Sequence, residues 1–128
     1  MSSQAEELKG RTKRFAIRIV SLFRVLPRTA EAQIIGRQIL RSRTSVGANY
    51  RAVRRARSRA EFIAKLGVVV EEIDETVFWL ELLVECAIVE PRRMTGLQTE
   101  ANELLAILAA SQCTAKRHRQ SVHDDITT

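Results

Sequence analysis

Hydrophobic residues recur along almost the whole chain with the spacing of α-helices, and no segment shows the alternation typical of a strand. Only five glycines and two prolines interrupt the 128 residues. The pattern predicts four amphipathic helices, near residues 12–26, 30–57, 59–89 and 91–117. We expect residues 12–117 to form one antiparallel, up-down four-helix bundle, which is an all-α fold. The polar segments 1–11 and 118–128 are expected to be flexible.

Local residue signals separate the predicted helices. Pro27 ends the first helix, because proline disfavours a helical conformation in the residue before it. Ser58 and Glu61 have the spacing of a capping box, which starts the third helix. Pro91 suits the first turn of the fourth helix, where its missing N–H would have no partner within the helix.

The third predicted helix is apolar on two sides. One side is a seam with heptad-like spacing, formed by Phe62, Leu66, Val69, Ile73, Val77, Leu80, Val84 and Ala87. The other side is expected to point away from this seam and is formed by Phe78, Trp79, Leu82 and Leu83. A helix with two apolar sides is buried on both. The second side therefore predicts a contact between copies of the chain, which a charge at Trp79 or Leu83 would break.

A polar stripe runs along the second helix beside its apolar face. It consists of Gln38, Ser42, Ser45 and Asn49. No histidine lies next to the stripe, and no Cys, Lys or Asp follows it in the order of a catalytic triad. We therefore prefer a structural interpretation, a hydrogen-bond ladder that fixes helix register, over a catalytic or ligand-binding row.

Opposite charges are separated between the second and third helices. Residues 32–60 contain eight arginines and no acid, whereas residues 66–90 contain seven carboxylates and no Lys or Arg. The arginines near the end of the second helix have no acid among them, so they repel one another unless an anion is supplied. Because the net charge is +6 and arginine forks suit phosphates and carboxylates, we expect nucleic acid or acidic protein partners. A membrane partner is not expected, since the bundle needs the apolar face.

Metal binding and catalysis are not expected. The carboxylates of the third helix lack the Glu-x-x-His pairs of di-iron bundle proteins, and both histidines, His118 and His123, lie in the polar tail. Cys86 and Cys113 are expected to be reduced, partly buried thiols rather than a disulfide or a metal site. The polar, acidic N-terminus is unlike a signal peptide, so a cytoplasmic location is expected. We predict no metal, no cofactor and no enzymatic activity.

Several motifs of the second and third helices together resemble a known family. They are the Ser-x-x-Ser-x-x-x-Asn stripe that ends at Asn49, the Ser-Arg-Ala-Glu-Phe start at 58–62, the Glu-Glu-Ile-Asp-Glu run at 71–75, and Trp79-Leu80. They resemble the small bacterial four helix bundle proteins over about residues 12–115. That family includes proteins encoded in intervening sequences of ribosomal RNA genes and the accessory variability determinant of diversity-generating retroelements.

The resemblance implies an all-α bundle that assembles as a ring-like homopentamer. For the retroelement members it also implies binding of nucleic acid and of a reverse transcriptase, without catalysis. This chain departs from the family after Asn49, where an acidic Asn-Ile-Ala-Glu-Gly pattern is replaced by Asn-Tyr-Arg-Ala-Val-Arg-Arg. The replacement makes the segment strongly basic, which favours contact with phosphates.

The preferred functional interpretation is a non-enzymatic, nucleic-acid-binding accessory protein that holds RNA or DNA phosphates and presents them to a partner such as a reverse transcriptase. The residues expected to bind nucleic acid are Arg37, Arg41, Arg51, Arg54, Arg55, Arg57 and Arg59. Because no zinc-finger, RNA-recognition or helix-turn-helix signature is present, binding is expected to follow the backbone rather than the base sequence. The alternative is a protein–protein scaffold whose arginines pair with acidic helices of neighbouring subunits and that has no nucleic-acid role.

Overall fold

The chain folds into four α-helices. The computed structural model describes the backbone of residues 3–127 and all of their side chains except those of residues 42–45 and 119–127. The helices are α1 (Gln4–Val25), α2 (Ala30–Arg54), α3 (Arg59–Glu85) and α4 (Pro91–Thr127). No strand occurs between residues 3 and 127, so the prediction of an all-α fold is confirmed.

The observed helix ends differ from the predicted ones mainly at the two ends of the chain. Helix α1 begins at Gln4 rather than near residue 12, because the Ser3 hydroxyl accepts a hydrogen bond from the Glu6 N–H at the N-cap. Glu6 and Glu7 also lie in its first turn, where carboxylates favour the helix dipole. Helix α4 continues to Thr127 rather than ending near residue 117. Flexibility of the two terminal segments stays a prediction.

One hydrophobic core joins all four helices. Each helix packs against the next one along the chain, and α1 also packs against α4. The largest fully buried side chains include Phe15, Ile19, Ile39, Leu66, Ile73, Leu80, Leu83, Leu104 and Leu108. Burying one such side chain stabilises the fold by about 1.5–3 kcal/mol. The core therefore supplies most of the stability and fixes which faces of the helices remain on the surface.

The buried seam of α3 agrees with the predicted one at Leu66, Val69, Ile73 and Leu80, but Ile63, Thr76 and Leu83 are buried in place of their predicted neighbours Phe62, Val77 and Val84. It follows heptad spacing through Leu66, Val69, Ile73, Thr76, Leu80 and Leu83. The predicted positions Val77 and Val84 are half-buried, and Ala87 is exposed beyond the helix end. Thr76 can occupy the core because its hydroxyl donates a 2.7 Å hydrogen bond to the Glu72 carbonyl oxygen one turn earlier. The expectation that Leu83 points outward is wrong, since this side chain is fully buried.

An ion pair connects α1 to α4 at the edge of the core. The Arg11 Nη2 atom lies 2.5 Å from Oε1 of Glu100 and 2.9 Å from Oε2 of Glu103. The Arg11 Nε–H donates to the second oxygen of Glu100 at 3.1 Å, which makes that contact bidentate. The hydrogen bond to Glu100 raises the pKa of Arg11. The Arg11 guanidinium therefore pairs with carboxylates of α4 and is not offered to an external anion.

The turn between α3 and α4 contains one residue in the left-handed region. Ala87 has a φ of 57°, which favours glycine. The turn is a Schellman motif: the Ile88 N–H donates to the Leu83 carbonyl at 2.9 Å, and the Ala87 N–H donates to the Val84 carbonyl at 3.0 Å. An alanine in this conformation costs about 1–2 kcal/mol, so the turn is strained but held by its hydrogen bonds.

We expect Ala87→Gly to raise the free energy of unfolding by about 0.5–1 kcal/mol, because the relief of strain exceeds the added entropy of the unfolded chain. Urea denaturation measures the change. The matched control is Ala64→Gly in the exposed interior of α3, which should lower the free energy of unfolding by about 1 kcal/mol. Equal destabilisation by both substitutions would contradict the strained turn.

Candidate nucleic-acid interface

Four of the predicted arginines form a line along one face of α2. Arg37, Arg41, Arg51 and Arg55 are all exposed. At 3.6 residues per turn they lie within about 80° of one another, and the line is about 27 Å long at 1.5 Å per residue. Arg43 is also in this helix, but its side chain lies outside the described part. The line consists of two pairs of guanidinium groups, with a spacing of four residues within each pair and of ten residues between the pairs.

Two lysines of α1 widen this line near the end of α2. Lys9 and Lys13 line a groove between the two helices together with Arg51. The helices are close here, because a Cβ atom added at Gly47 would lie 3.6 Å from the Cα atom of Lys13. We refer to the surface formed by Arg37, Arg41, Arg51, Arg55, Lys9 and Lys13 as the basic band. The sequence interpretation missed both lysines, although their four-residue spacing is a signal that they share a helix face.

A carboxylate of α1 pairs with one of the arginines at the end of α2. The Glu6 Oε1 atom lies 2.6 Å from Arg54 Nη2. This pair supplies, from another helix, an anion that the arginine segment lacks in its own sequence. The hydrogen bond from Arg54, and then its positive charge, hold the pKa of Glu6 below the ordinary value of a glutamate. Arg54 is thus partly neutralised, while its neighbours Arg51 and Arg55 are not part of that pair.

The remaining predicted arginines border a second groove at this end of the bundle. It lies where the start of α1, the end of α2 and the start of α3 meet, and its volume is about 680 Å³. We call it the terminal groove. Its apolar lining is Leu8, Tyr50, Val53 and Phe62, and its arginines are Arg54, Arg57 and Arg59. Burial raises the pKa of the Tyr50 hydroxyl, which therefore stays neutral near neutral pH.

The polar stripe of α2 contacts the acidic helix at one described position. The Asn49 amide donates a 2.7 Å hydrogen bond to Oε1 of Glu72, and both side chains are half-buried. Gln38 is also half-buried, whereas the side chains of Ser42 and Ser45 lie outside the described part. The Asn49–Glu72 bond joins α2 to α3, as a structural ladder requires. That the whole stripe acts as such a ladder stays a prediction.

Of the four residues predicted to face a second copy of the chain, one is exposed and two are half-buried at the edge of the core. Phe78 is 53% exposed, and Trp79 and Leu82 are half-buried. The Phe78 and Trp79 rings form an edge-to-face pair with centroids 5.0 Å apart. The Trp79 indole N–H donates to Glu75 at 3.1 Å. The surface group therefore consists of Phe78, Trp79 and Leu82, and Leu83 belongs to the core.

Neither a metal cluster nor a membrane-spanning helix occurs in the part of the chain that the structure describes. No three or more His, Cys, Asp and Glu side chains are grouped there so that they could hold a metal ion. None of the helices combines the length and the apolar character needed to cross a membrane. Cys86 and Cys113 are free thiols and are exposed, so the expectation that they are partly buried is wrong.

We expect the carboxyl pKa of Glu6, followed by NMR, to rise towards the ordinary value in Arg54→Ala, because the charge that favours the ionised form is removed. Arg55→Ala is the matched control and should leave it low. Since the pKa of Glu6 is lower in the folded than in the unfolded protein, the pair stabilises the fold at pH values above the unfolded pKa. This stabilisation is lost as the pH falls through the folded pKa. An unchanged Glu6 titration in Arg54→Ala would rule out the pair in solution.

Comparison with known proteins identifies the family. The model of the 23S rRNA-intervening sequence protein family matches residues 7–110. A solved structure of a protein from Bacteroides thetaiotaomicron VPI-5482, described as a protein with unknown function from the S23 ribosomal protein family, is 34% identical and superposes with a TM-score of 0.79. The match covers 86% of this chain and 98% of that one. No curated protein is significantly similar. The resemblance drawn from the motifs of the second and third helices is confirmed, and the chain belongs to the 23S rRNA-intervening sequence protein family.

Proposed function

We propose that this protein is a non-enzymatic accessory protein of the cytoplasm that binds the phosphates of RNA or DNA along the basic band. The observation that carries the proposal is the line of four exposed arginines on one face of α2, widened by two lysines of α1. Guanidinium and ammonium groups bind phosphate oxygens through charge-assisted hydrogen bonds. A length of about 27 Å corresponds to about eight phosphates of one strand at 3.4 Å spacing.

Binding along such a band is expected to be independent of base sequence. Phosphate contacts position a nucleic acid but carry no sequence information, and the band itself contains no aromatic side chain. The chain's family takes its name from intervening sequences of 23S rRNA, which makes RNA the first nucleic acid to test. By the resemblance to retroelement accessory proteins, the second partner in this proposal is a reverse transcriptase.

We further propose that the four helices run up and down in an antiparallel bundle and that the protein assembles as a ring-like homopentamer. The resemblance supplies the number five. The apolar surface group Phe78, Trp79 and Leu82 supports a contact between copies, because large apolar side chains clustered on a surface mark interaction sites. Assembly would place several basic bands on one particle and so strengthen its attraction for a polyanion.

The Glu6–Arg54 pair favours one competing function. In this pair, an arginine at the end of α2 forms an ion pair with a carboxylate of another helix. In a protein–protein scaffold, the other arginines would pair in the same way with the acidic helices of neighbouring subunits, and nucleic acid would have no role. The two functions differ in what removing the arginines does to the assembly.

We expect the double substitution Arg51→Ala and Arg55→Ala to weaken nucleic-acid binding without changing the assembly. The slope of log affinity against log salt is about −0.9 per duplex phosphate neutralised, so it should flatten by up to about two units per participating subunit. The matched control, Arg24→Ala with Arg28→Ala, removes the same charge beyond the basic band, at the end of α1 and in the turn after it, and should leave the slope unchanged. Gel shifts across a salt series measure the nucleic-acid affinity of the wild type and of both double variants.

Two results of this experiment would reject the nucleic-acid function. One is the absence of any wild-type gel shift at low salt. The other is a double variant that loses its assembly in sizing experiments, which is the outcome that the scaffold function predicts. The double variant should retain its fold, because both side chains are exposed and outside the core.

We expect Phe78→Glu to dissociate the assembly, because an unpaired charge would be buried at the contact between copies. Leu83→Glu cannot test the contact, since it would place a charge in the core. The matched control is Val25→Glu, at a side chain that is 65% exposed outside the surface group. Light scattering should give the control the same particle mass as the wild type and should give Phe78→Glu a smaller one. A wild-type mass of 14.5 kDa, that of one chain, would refute self-association.

A further inference from the structure

The terminal groove combines an apolar interior with a cationic rim. Phe62, which is half-buried, forms an apolar wall beside the buried side chains of Leu8 and Val53, and Arg54, Arg57 and Arg59 border them. Its volume of about 680 Å³ lies within the range of small-ligand sites, about 300–1,000 Å³. A purely phosphate-binding surface has no need of the apolar part. The chemistry of the groove instead matches a ligand with a flat apolar part and an attached anion.

Aromatic and polar groups in the groove match the rest of a nucleotide. Phe62 is half-buried and lines the groove, so part of its ring can contact a planar ligand. Tyr50, which is buried, and Gln4, which is exposed, also line the groove, and the Gln4 amide can exchange hydrogen bonds with the edge of a base. Stacking of a base on an aromatic ring tolerates any base, because every base has a π-face.

The arginines connect the terminal groove to the basic band. Arg54 lines this groove and also the adjoining groove formed with Lys9, Arg51 and Arg55. Glu6 also lines the adjoining groove, so a strand that follows the basic band reaches the arginine rim past one carboxylate, whose place on Arg54 a phosphate would take. At that point its next phosphate would meet Arg57 and Arg59, whose side chains are exposed.

We propose that the terminal groove takes one unpaired base of a single-stranded nucleic acid whose phosphates lie on Arg54, Arg57 and Arg59. This inference depends on the proposed function and specifies its substrate as single-stranded. A base inside a duplex reaches such a groove only after unpairing and unstacking. These steps cost free energy, and an unpaired base of a single strand does not require them. The positive rim selects an anionic chain as the occupant, and the apolar walls select its base.

The test compares two ligands that differ only in their bases. One is an oligothymidylate, and the other is an abasic deoxyribose-phosphate chain of the same length. Wild-type protein should bind the oligothymidylate tighter by about 5-fold or more, which is the lower range of one stacked base. Both ligands should show the same salt slope, because they carry the same phosphates.

A pair of variants assigns the preference to the groove. Phe62→Leu keeps an apolar side chain but removes the stacking face, so the ratio between the two ligands should fall towards one while abasic binding stays unchanged. Phe23→Leu removes another half-buried aromatic ring near the end of α1, outside the groove, and should leave the ratio at its wild-type value. Thermal unfolding confirms that both variants are folded.

Each outcome supports or overturns a distinct statement. Equal wild-type affinity for the two ligands would overturn the base-binding groove and leave phosphate binding intact. No binding of either ligand, nor of an RNA strand of the same length, would overturn the proposed function itself. A Phe62→Leu variant that keeps the preference, or one that changes the mass of the assembly, would also overturn the groove, the latter because it would make this surface a contact between copies.

Discussion

The buried seam of α3 is the constraint on which the other features depend. This helix packs against both α2 and α4, and its seam residues repeat with heptad spacing from Leu66 to Leu83. Once that register is set, Glu72 comes to the side facing Asn49, and Phe78 comes to the surface. Because α2 packs on α3 in this orientation, the arginines of α2 must point away from the core. The exposure of these arginines at the surface is therefore a consequence of core packing, whereas the separation of charge is already present in the sequence.

The sequence predicted the number and type of the elements because helical periodicity and capping are local properties. Ser58 and Pro91 mark starts that the structure confirms, at Arg59 and at Pro91. The register of α3 was predicted one residue off in its second half because Thr76 is polar. Its hydroxyl is satisfied by a carbonyl of its own helix, which costs the core no unpaired group. Side-chain polarity alone does not reveal such a bond. The sequence pattern therefore predicted that Val77 and Val84, rather than Thr76 and Leu83, are buried in the seam.

The candidate site was predicted only as far as it belongs to a single helix. Arginines at regular spacing on α2 can be read from the chain, but Lys9 and Glu6 join them only when α1 packs against α2. The N-cap formed by Ser3 places these two residues on a helix, and the interpretation of residues 1–11 as a flexible segment hid that. Groups brought together from distant positions depend on tertiary packing, which periodicity does not encode.

The Glu6–Arg54 pair lies where the basic band and the terminal groove meet. The pair is at the surface, and exposed ion pairs contribute little to stability because water and salt screen them. The core does not depend on it, so Arg54 can exchange its carboxylate partner for a phosphate without disturbing the bundle. A phosphate bound there, as we propose, would meet Arg57 and Arg59 as well, whereas Glu6 contacts Arg54. Arg54 would therefore bind a carboxylate in the free protein and a phosphate in the proposed nucleic-acid complex.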